Sequence, residues 1–212
     1  MKLTENKGTW KTQKEHIEHF NEEGIKMISA SDVYKIFKTN DTEALNLLKT
    51  SFKDYLVTST RIIYDKKTLN ATIIQDCDST VVKEKSTKVK VPDYSGDFKE
   101  DKDTEKYLQT LFDTKDSLKV ILSTLKSSSG RGVIRLWSPD QSGRDGKQER
   151  AVRLFYDYFD RFSVDGGDSD FGLSRGVLSD SAKPSKYKEI KCKHCEGKGT
   201  IKIKSKKVKK KK

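Results

Sequence analysis

Two cysteines near the C-terminal end have a spacing that suits a metal ion. Residues 192–199 read Cys-Lys-His-Cys-Glu-Gly-Lys-Gly. Two thiolates on a tight turn bind zinc, and glycines permit the positive φ angles that such a turn needs. A redox Cys-x-x-Cys pair usually opens a helix, which the following glycines disfavour. We therefore expect Cys192 and Cys195 to bind zinc in a small hairpin, with exposed reduced thiols as the alternative.

The ligand set of this zinc site is incomplete, because structural zinc takes four ligands and the hairpin offers two. Cys77 or His194 could add one ligand, although His194 lies inside the turn. A second chain could instead supply the missing pair, which would produce a zinc-bridged dimer.

Residues 150–182 use a narrower set of amino acids than the rest of the chain. They are rich in Tyr, Phe, Asp, Ser and Gly and contain no Lys, Glu, Gln, Asn, Met or Trp. The preceding 149 residues contain 22 Lys and 10 Glu, so about five Lys and two Glu would be expected in this length. Similar residue types dominate antibody binding loops, where rigid rings supply contact area and small polar residues supply hydrogen bonds. The segment therefore indicates recognition of a protein or surface ligand, centred on residues 154–171.

The aromatic run within this segment, residues 155–159, reads Phe-Tyr-Asp-Tyr-Phe. Side chains alternate between the two faces of a strand, so some of these rings are exposed unless both faces are covered. Exposed rings beside carboxylates suit a protein-binding patch. The alternative is an aromatic core hairpin closed by an Asp-Gly-Gly-Asp turn. A calcium loop at Asp165, Asp168 and Asp170 is disfavoured, because the spacing lacks the alternating ligands and the bidentate Glu of an EF-hand.

The elements that position these residues follow from periodicity and capping residues. Helices are predicted over 11–23, with Trp10, Ile17 and Phe20 on one face, and from Ser31, from Asp41, over 104–112 and over 116–126. Strands are predicted at 25–28, 55–64, 71–76, 133–137 and within 150–178. Residues 83–103 are polar and predict a long loop or an insertion. The predicted class is α+β, with helices early and a twisted antiparallel sheet late.

Short motifs at both ends of the body resemble C-type-lectin-like domains of the formylglycine-generating-enzyme type. The opening motifs are Thr9-Trp10, then Gly24-Ile-Lys-Met-Ile-Ser29, then Asp32-Val-Tyr34. The closing motifs are Leu136-Trp137-Ser138, then Arg150-Ala-Val-Arg-Leu154, then Ser174-Arg-Gly-Val177. The resemblance covers residues 9–34 and 136–177. Lys26-Met27 replaces the Arg-Leu of that family, its proline is absent, and the middle of the chain is unmatched.

This fold is the scaffold of the variable proteins of diversity-generating retroelements, in which codons near the end of the lectin domain are rewritten. Such codons yield Tyr, Phe, Asp, Ser, Gly or Arg but not Lys, Glu, Gln, Met or Trp, a restriction that residues 150–182 fit. The resemblance implies a scaffold role for Arg150, Ala151, Val152, Leu154, Phe162, Val164, Arg175, Gly176 and Val177. It implies ligand contact by Phe155, Tyr156, Asp157, Tyr158, Asp160, Ser163, Asp165, Asp168, Ser169, Asp170 and Phe171.

Two further expectations accompany this resemblance. Trp137 is expected in the core rather than in the wall of the site. The catalytic copper cysteines of the formylglycine-generating enzymes have no counterpart, because Cys77 is the only cysteine of the body. We therefore expect a protein that is not an enzyme.

Residues 192–199 also resemble one repeat of the Cys-x-x-Cys-x-Gly-x-Gly pattern in the cysteine-rich domain of DnaJ chaperones. That resemblance implies zinc as the cofactor and strands on both sides of the turn, at 187–191 and 200–204.

The positive charge of the chain is concentrated at its C-terminal end. The net charge is +12, and residues 186–212 alone hold 13 Lys and 2 Glu. A general nucleic-acid-binding body is therefore disfavoured, whereas the lysine-rich segment predicts a disordered tail that could contact nucleic acid or an acidic surface. We expect a ligand-binding domain over 1–182 and a separate hairpin and tail over 183–212. The alternative function is a nucleic-acid-binding accessory protein that acts through this tail, with residues 11–76 as a winged-helix-like unit.

Other classes of protein and site are disfavoured by the residues. No apolar run has the length of a membrane span or the form of a signal peptide, so we expect a cytoplasmic protein. His16 and His19 are three residues apart, not the four of a His-Glu-x-x-His zinc protease, and are expected on an exposed polar helix face. The Gly130-Arg-Gly132 segment is too short for a phosphate-binding loop.

Overall fold

The computed structural model describes residues 1–5, 8–65, 68–92, 94–137, 147–165, 171–178, 187–191 and 200–204. Within these residues the chain forms five helices: α1 (Gln13–Glu23), α2 (Ala30–Thr39), α3 (Thr42–Phe52), α4 (Lys102–Leu111) and α5 (Leu118–Ser129). The same residues form fourteen strands: β1 (Lys2–Leu3), β2 (Lys11–Thr12), β3 (Lys26–Met27), β4 (Leu56–Asp65), β5 (Asn70–Gln75), β6 (Lys85–Lys90), β7 (Gly96–Asp97), β8 (Ile134–Trp137), β9 (Lys147–Tyr156), β10 (Phe162–Asp165), β11 (Phe171–Gly172), β12 (Gly176–Leu178), β13 (Tyr187–Lys191) and β14 (Thr200–Lys204).

The first three helices begin where local capping chemistry places them. Thr12 and Ser29 each open a helix with a reciprocal capping box, and the Asp41 carboxylate accepts a hydrogen bond from the amide of α3 residue Ala44. The predicted cap at Asp41 is confirmed. The predicted cap at Ser31 is wrong by two residues, because Ser29 supplies the side-chain oxygen that completes the box.

Seven strands form the main sheet, in the order β6-β5-β4-β9-β10-β8-β7. All neighbours are antiparallel except β8 and β10, which are parallel. Helices α2 to α5 cover one face of this curled sheet and share the larger hydrophobic core with it. Helix α1 packs on a smaller cluster that includes Val57 and Ala151, which face away from the larger core.

The predicted mixture of helices with a mainly antiparallel sheet is confirmed, and two parts of the prediction are wrong. Helices do not simply precede strands, because β4 to β6 come before α4 and α5. Residues 83–103 are not one loop, because Lys85–Lys90 forms the edge strand of the sheet. Strand β6 is exposed along most of its length and pairs with β5, so its polar sequence suits an edge strand with little buried surface.

The two ends of the body pair with each other. Strand β12 lies between β1 and β3, and β11 pairs with β2. Buried Arg175 strengthens this junction, since its guanidinium donates hydrogen bonds to Ser51 Oγ (2.7 Å), Thr50 Oγ1 (3.0 Å) and the Thr4 carbonyl (2.7 Å). The opening and closing segments therefore meet beside one edge of α1.

Strands β13 and β14 pair as a two-stranded antiparallel ribbon, with Tyr187 opposite Lys204 and Lys191 opposite Thr200. The two strands predicted around the cysteine turn are thus confirmed. The turn itself, 192–199, lies outside the described residues. In the described part of the chain, none of the helices has the length and apolar character needed to cross a membrane.

Candidate recognition surface

Strands β9 and β10 send alternate side chains to opposite faces of the sheet. Leu154 and Tyr156 of β9 face the larger core, as do Phe162 and Val164 of β10. Tyr156 is half-buried there, with its ring edge-on to that of Phe52 at 5.5 Å and its hydroxyl donating to the Ser129 carbonyl at 2.9 Å. Tyr156 is therefore mainly part of the hydrophobic core rather than of the exposed surface.

The turn between β9 and β10 is organised by one carboxylate. Asp157 Oδ1 accepts hydrogen bonds from the amides of Phe159 and Arg161, both at 3.0 Å, and Oδ2 accepts one from Arg161 Nε at 2.9 Å. Backbone bonds close the same turn, from the Asp157 amide to the Arg161 carbonyl and from the Asp160 amide to the Asp157 carbonyl. Asp160 has a φ of 60°, a left-handed conformation that Asp tolerates. The turn is thus fixed by side-chain and backbone bonds together.

Two aromatic side chains stand outside this fixed turn. Tyr158 is 97 % exposed and Phe159 is 77 % exposed. We call this pair the aromatic tip. The Arg161 guanidinium lies 4.6 Å from the Phe159 ring centroid, a cation–π contact that also restrains the Phe159 ring.

Burial of the Asp157 carboxyl raises its pKa, but the hydrogen bonds from the Arg161 and Phe159 amides and from the Arg161 guanidinium outweigh this and lower the pKa below 3.8. The Asp157 side chain is 7 % exposed, so water has little access to these hydrogen bonds. Asp157 is consequently ionised at neutral pH, which is the state that holds the turn.

The carboxylates around the tip are paired with guanidinium groups. Asp160 contacts Arg131 at 2.5 Å, and Asp157 contacts Arg161 at 2.9 Å and Arg135 at 3.8 Å. Within the described residues, each of these carboxylates therefore has a guanidinium partner nearby. The exposed surface of the tip is accordingly aromatic rather than charged.

The outer face of β8, β9 and β10 carries a second set of polar contacts. Arg153 of β9 is paired with Asp165 of β10, which is itself opposite Trp137 of β8. Trp137 Nε1 donates to Ser163 Oγ at 3.4 Å, and the Trp137 ring lies 4.7 Å from the Arg135 guanidinium. The expectation that Trp137 belongs to the core is wrong: its side chain is on the outer face and 36 % exposed.

Two rings from other parts of the chain adjoin this face. Tyr55, just before β4, packs on Phe155 with ring centroids 4.6 Å apart, and Trp10 meets Tyr55 edge-on at 5.8 Å. Trp10 is 55 % exposed whereas Ile17 and Phe20 are buried, so the prediction that the three share one helix face is wrong. In the sequence, only the aromatic character of Trp10 and Tyr55 could suggest that they belong to this surface. Nothing local in the sequence links them to residues a hundred positions away.

The predicted contact residues fall into three groups in the described part of the chain. Tyr158, Asp160 and Phe171 are exposed, Tyr156 and Asp157 are half-buried, and Phe155, Ser163 and Asp165 are buried. Asp168, Ser169 and Asp170 lie outside the described residues. The exposed surface is therefore narrower than the predicted set and concentrates on the tip and Phe171.

His16 of α1 forms a hydrogen bond to β11, the strand that carries the exposed Phe171. Its Nε2–H donates to the Gly172 carbonyl at 2.9 Å, which ties α1 to β11. The expectation that His16 lies on an exposed helix face is wrong, since His16 is buried, whereas His19 is exposed. Burial lowers the pKa of His16 below 6.5, although the bond to Gly172 acts in the opposite direction.

The candidate zinc ligands Cys192 and Cys195, and His194 with them, lie outside the described residues. Cys77 is buried, and that burial raises the pKa of its thiol to about 12, which disfavours the thiolate that zinc requires. Within the described part of the chain no group of three or more His, Cys, Asp or Glu side chains is arranged to hold a metal ion. Cys77 is thus a poor third ligand.

Comparisons with known proteins gave no relatives: no protein-family model, no curated protein and no solved structure matches the chain.

Proposed function

We propose that this chain is a non-catalytic ligand-binding protein whose recognition surface is the aromatic tip, together with Phe171 and Asp160. One observation carries the proposal: two adjacent rings, Tyr158 and Phe159, are 97 % and 77 % exposed on a turn that hydrogen bonds to Asp157 close. Water-exposed rings contribute little to folding, whereas burying them against a partner removes a large apolar area. A fixed turn also reduces the entropy lost when the rings become ordered on binding.

The tip can be tested with ligands selected for this purpose. Peptides selected from a random library on the immobilised chain are expected to lose at least about thirtyfold in affinity for a Tyr158→Ser/Phe159→Ser double variant. The matched control is Val120→Ser, which alters an exposed apolar side chain on α5. Peptides that bind the double variant as tightly as the original chain would contradict the proposal.

We further propose that the scaffold is C-type-lectin-like and that residues 150–182 are a diversified segment of the kind found in retroelement variable proteins. The restricted residue types of that segment support the idea. So does the pairing of the two ends that carry the resemblance, β2 with β11 and β3 with β12. An imperfect repeat of the codons for 150–182 beside a reverse-transcriptase gene is expected in the neighbouring DNA. If both are absent, diversification is excluded while ligand binding by the tip remains open to test.

A nucleic-acid-binding function of the tail is the second candidate, and the 13 Lys of residues 186–212 favour it. About five phosphate contacts would weaken binding by roughly two to three decades between 50 and 200 mM salt. Deleting 186–212 should abolish such binding, and the tip double variant should leave it unchanged. Binding that survives the deletion would contradict this candidate.

A further inference from the structure

Strand β6 is an edge of the main sheet. Among the described strands it pairs with β5 alone, and its other side is open. Five of its six residues are exposed, and Val89 is half-buried. An exposed edge of this length is a template on which a strand from another chain can add to the sheet.

The register with β5 shows which backbone groups of β6 face outward. The Val91 amide donates to the Leu69 carbonyl at 3.0 Å, one position beyond the last pair of the β5–β6 ladder. Hydrogen-bonded and non-hydrogen-bonded pairs alternate along an antiparallel ladder, so Ser86 and Lys88 direct their amides and carbonyls away from β5. In the part of the chain that the structure describes, no hydrogen bond from another element reaches these backbone groups.

Two grooves flank this edge, one on each face of the β5–β6 pair. The first has a volume of about 500 Å³ and is lined on the outer face by Ile63, Thr72 and Lys88. The second has a volume of about 370 Å³ and lies between Thr87 and the C-terminal end of α4 around Thr110. Successive side chains of a strand point to opposite faces, so a strand added to β6 directs them towards the two grooves in turn.

The charge along the edge restricts the kind of strand that fits. Residues 83–90 hold four Lys and one Glu. Asp113 and Asp103 contact the lysines at the two ends of β6, whereas Lys88 in its middle has no ion-pair partner within the described residues. Exposed ion pairs contribute little to stability, so the two contacts hold the end lysines only weakly. Carboxylates of a partner therefore complement this edge.

A second copy of the chain fits the edge poorly, because pairing β6 with β6 sets the lysines of the two copies side by side. Lysines on an edge disfavour an uncharged strand as well. We infer that β6 binds an extended acidic segment of a partner protein, which adds to the sheet through backbone hydrogen bonds to Ser86 and Lys88. This surface is separate from the aromatic tip, so the inference does not depend on the proposed function.

The edge can be probed with a capped hexapeptide of alternating Glu and Val, with amide hydrogen exchange of the full chain followed by NMR. We expect the peptide to slow exchange of the Ser86 and Lys88 amides at least about fivefold, because each gains a carbonyl partner. The Thr87 and Val89 amides, which already bond to β5, should change less than about twofold. The same hexapeptide with Lys in place of Glu should leave all four amides unchanged.

Two substitutions at Lys88 separate the backbone bonds from the charge. Lys88→Gln removes the charge alone and is expected to weaken peptide binding about two- to fivefold. Lys88→Pro also removes the outward amide while leaving the bonds to β5 in place, since an edge strand tolerates proline on its open side. Its binding should be weaker than that of Lys88→Gln by a further factor of at least about three. Lys119→Gln, which alters an exposed lysine of α5, is the matched control and should bind as the original chain does.

Unprotected Ser86 and Lys88 amides at the highest soluble peptide concentration would overturn the inference, as would equal affinity for the Glu and Lys hexapeptides. Equal affinities of folded Lys88→Pro and Lys88→Gln would mean that charge alone attracts the peptide. If Lys88→Pro does not fold, the exchange pattern of the original chain decides between these outcomes.

Two other occupants are distinguished by the same measurements. Short single-stranded DNA that binds more tightly than the Glu hexapeptide and depends on Lys88 would assign the edge to nucleic acid and overturn the inference. Protection of the Ser86 and Lys88 amides that rises with protein concentration in the absence of peptide would assign it to a second copy of the chain, with the same consequence.

Discussion

Asp157 shows how one side chain gives a surface loop a single shape. Its two oxygens accept from two backbone amides and one guanidinium, so the turn needs no glycine to close. Charge-assisted bonds of this kind are stronger than neutral ones, and partial burial of the carboxylate limits competition from water. By closing the turn, Asp157 holds Tyr158 and Phe159 in their exposed positions.

Replacing Asp157 with Asn should loosen the tip and reveal its pH dependence. We expect a loss of about 1–3 kcal/mol in the free energy of unfolding at pH 7, because an amide cannot accept all three bonds. The folded pKa is depressed below 3.8, so the stabilising contribution is complete above that pH and is lost as pH falls through the folded pKa. Urea unfolding between pH 2 and 6 should show the two proteins converging at the acid end. A constant difference across this range would contradict the assignment.

His16 predicts a second pH dependence, at higher pH. Its folded pKa is depressed below 6.5, so the unfolded chain binds a proton first and stability falls as pH drops below 6.5 towards the folded pKa. We expect the thermal midpoint to fall between pH 7.5 and 5, and less so in His16→Gln, whose amide can still donate to the Gly172 carbonyl. His19→Gln is the matched control, because His19 is exposed on the same helix. An equal effect of both substitutions would exclude His16 as the source.

At the scale of elements, the alternation of side chains along β9 decides which tyrosine packs into the core. Tyr156 packs against Phe52 and bonds to Ser129, whereas Tyr158 is past the end of the strand. Tyr156→Ala should therefore cost about 2–4 kcal/mol in the free energy of unfolding, and Tyr158→Ala less than about 0.5 kcal/mol. Chemical denaturation measures both values. Similar losses in the two variants would mean that the tip is also part of the packed structure.

The crossing of β11 over the start of β4 needs a glycine. A Cβ on Gly172 would lie 2.0 Å from the Tyr55 carbonyl oxygen and 2.8 Å from Val57 Cγ2, and the first of these atoms is backbone that cannot rotate away. Gly172→Ala is expected to destabilise the fold by at least about 2 kcal/mol. Gly132→Ala is the control, because nothing lies within 4 Å of a Cβ built there. Thermal unfolding should separate the two variants clearly, and equal midpoints would disprove the close approach.

At the scale of the whole molecule, the net charge is distributed unevenly between the body and the C-terminal segment, residues 186–212. The lysine-rich end carries most of the net +12, whereas the tip has its arginines and aspartates paired. Screening by salt weakens interactions between exposed charges more than ring contacts. Binding through the tip should accordingly be less sensitive to salt than any interaction of the tail.

The cysteine turn makes a testable prediction about assembly. If Cys192 and Cys195 bind zinc with two ligands per chain, a second chain completes the set of four and zinc produces a dimer. Light scattering after size-exclusion chromatography should then show a dimer with zinc and a monomer with chelator. Cys192→Ser should remain a monomer, and Cys77→Ser, which alters the buried thiol, should still dimerise. Zinc binding by a monomer that withstands chelation would contradict the bridged arrangement.

Much of the framework could be predicted from local sequence. Asp41 marks the start of α3, Gly24 ends α1 in a left-handed conformation, and residues 55–64 and 71–76 pair as the hairpin of β4 and β5. The exposure of the predicted contact residues was predicted less well. Phe155, Ser163 and Asp165 are buried, because the outer face of the sheet is partly covered by groups such as Tyr55 and Trp137.

The sequence by itself determined many of the elements, because caps, turns and periodicity act between residues close in the chain. It also shows the restricted composition of residues 150–182. Only the tertiary structure decided which aromatic rings remain exposed. Trp10 and Tyr55 meet because β2 pairs with β11 and β11 crosses the start of β4, contacts between residues far apart in the chain. Such contacts depend on the packing of the whole sheet, which local preferences do not encode.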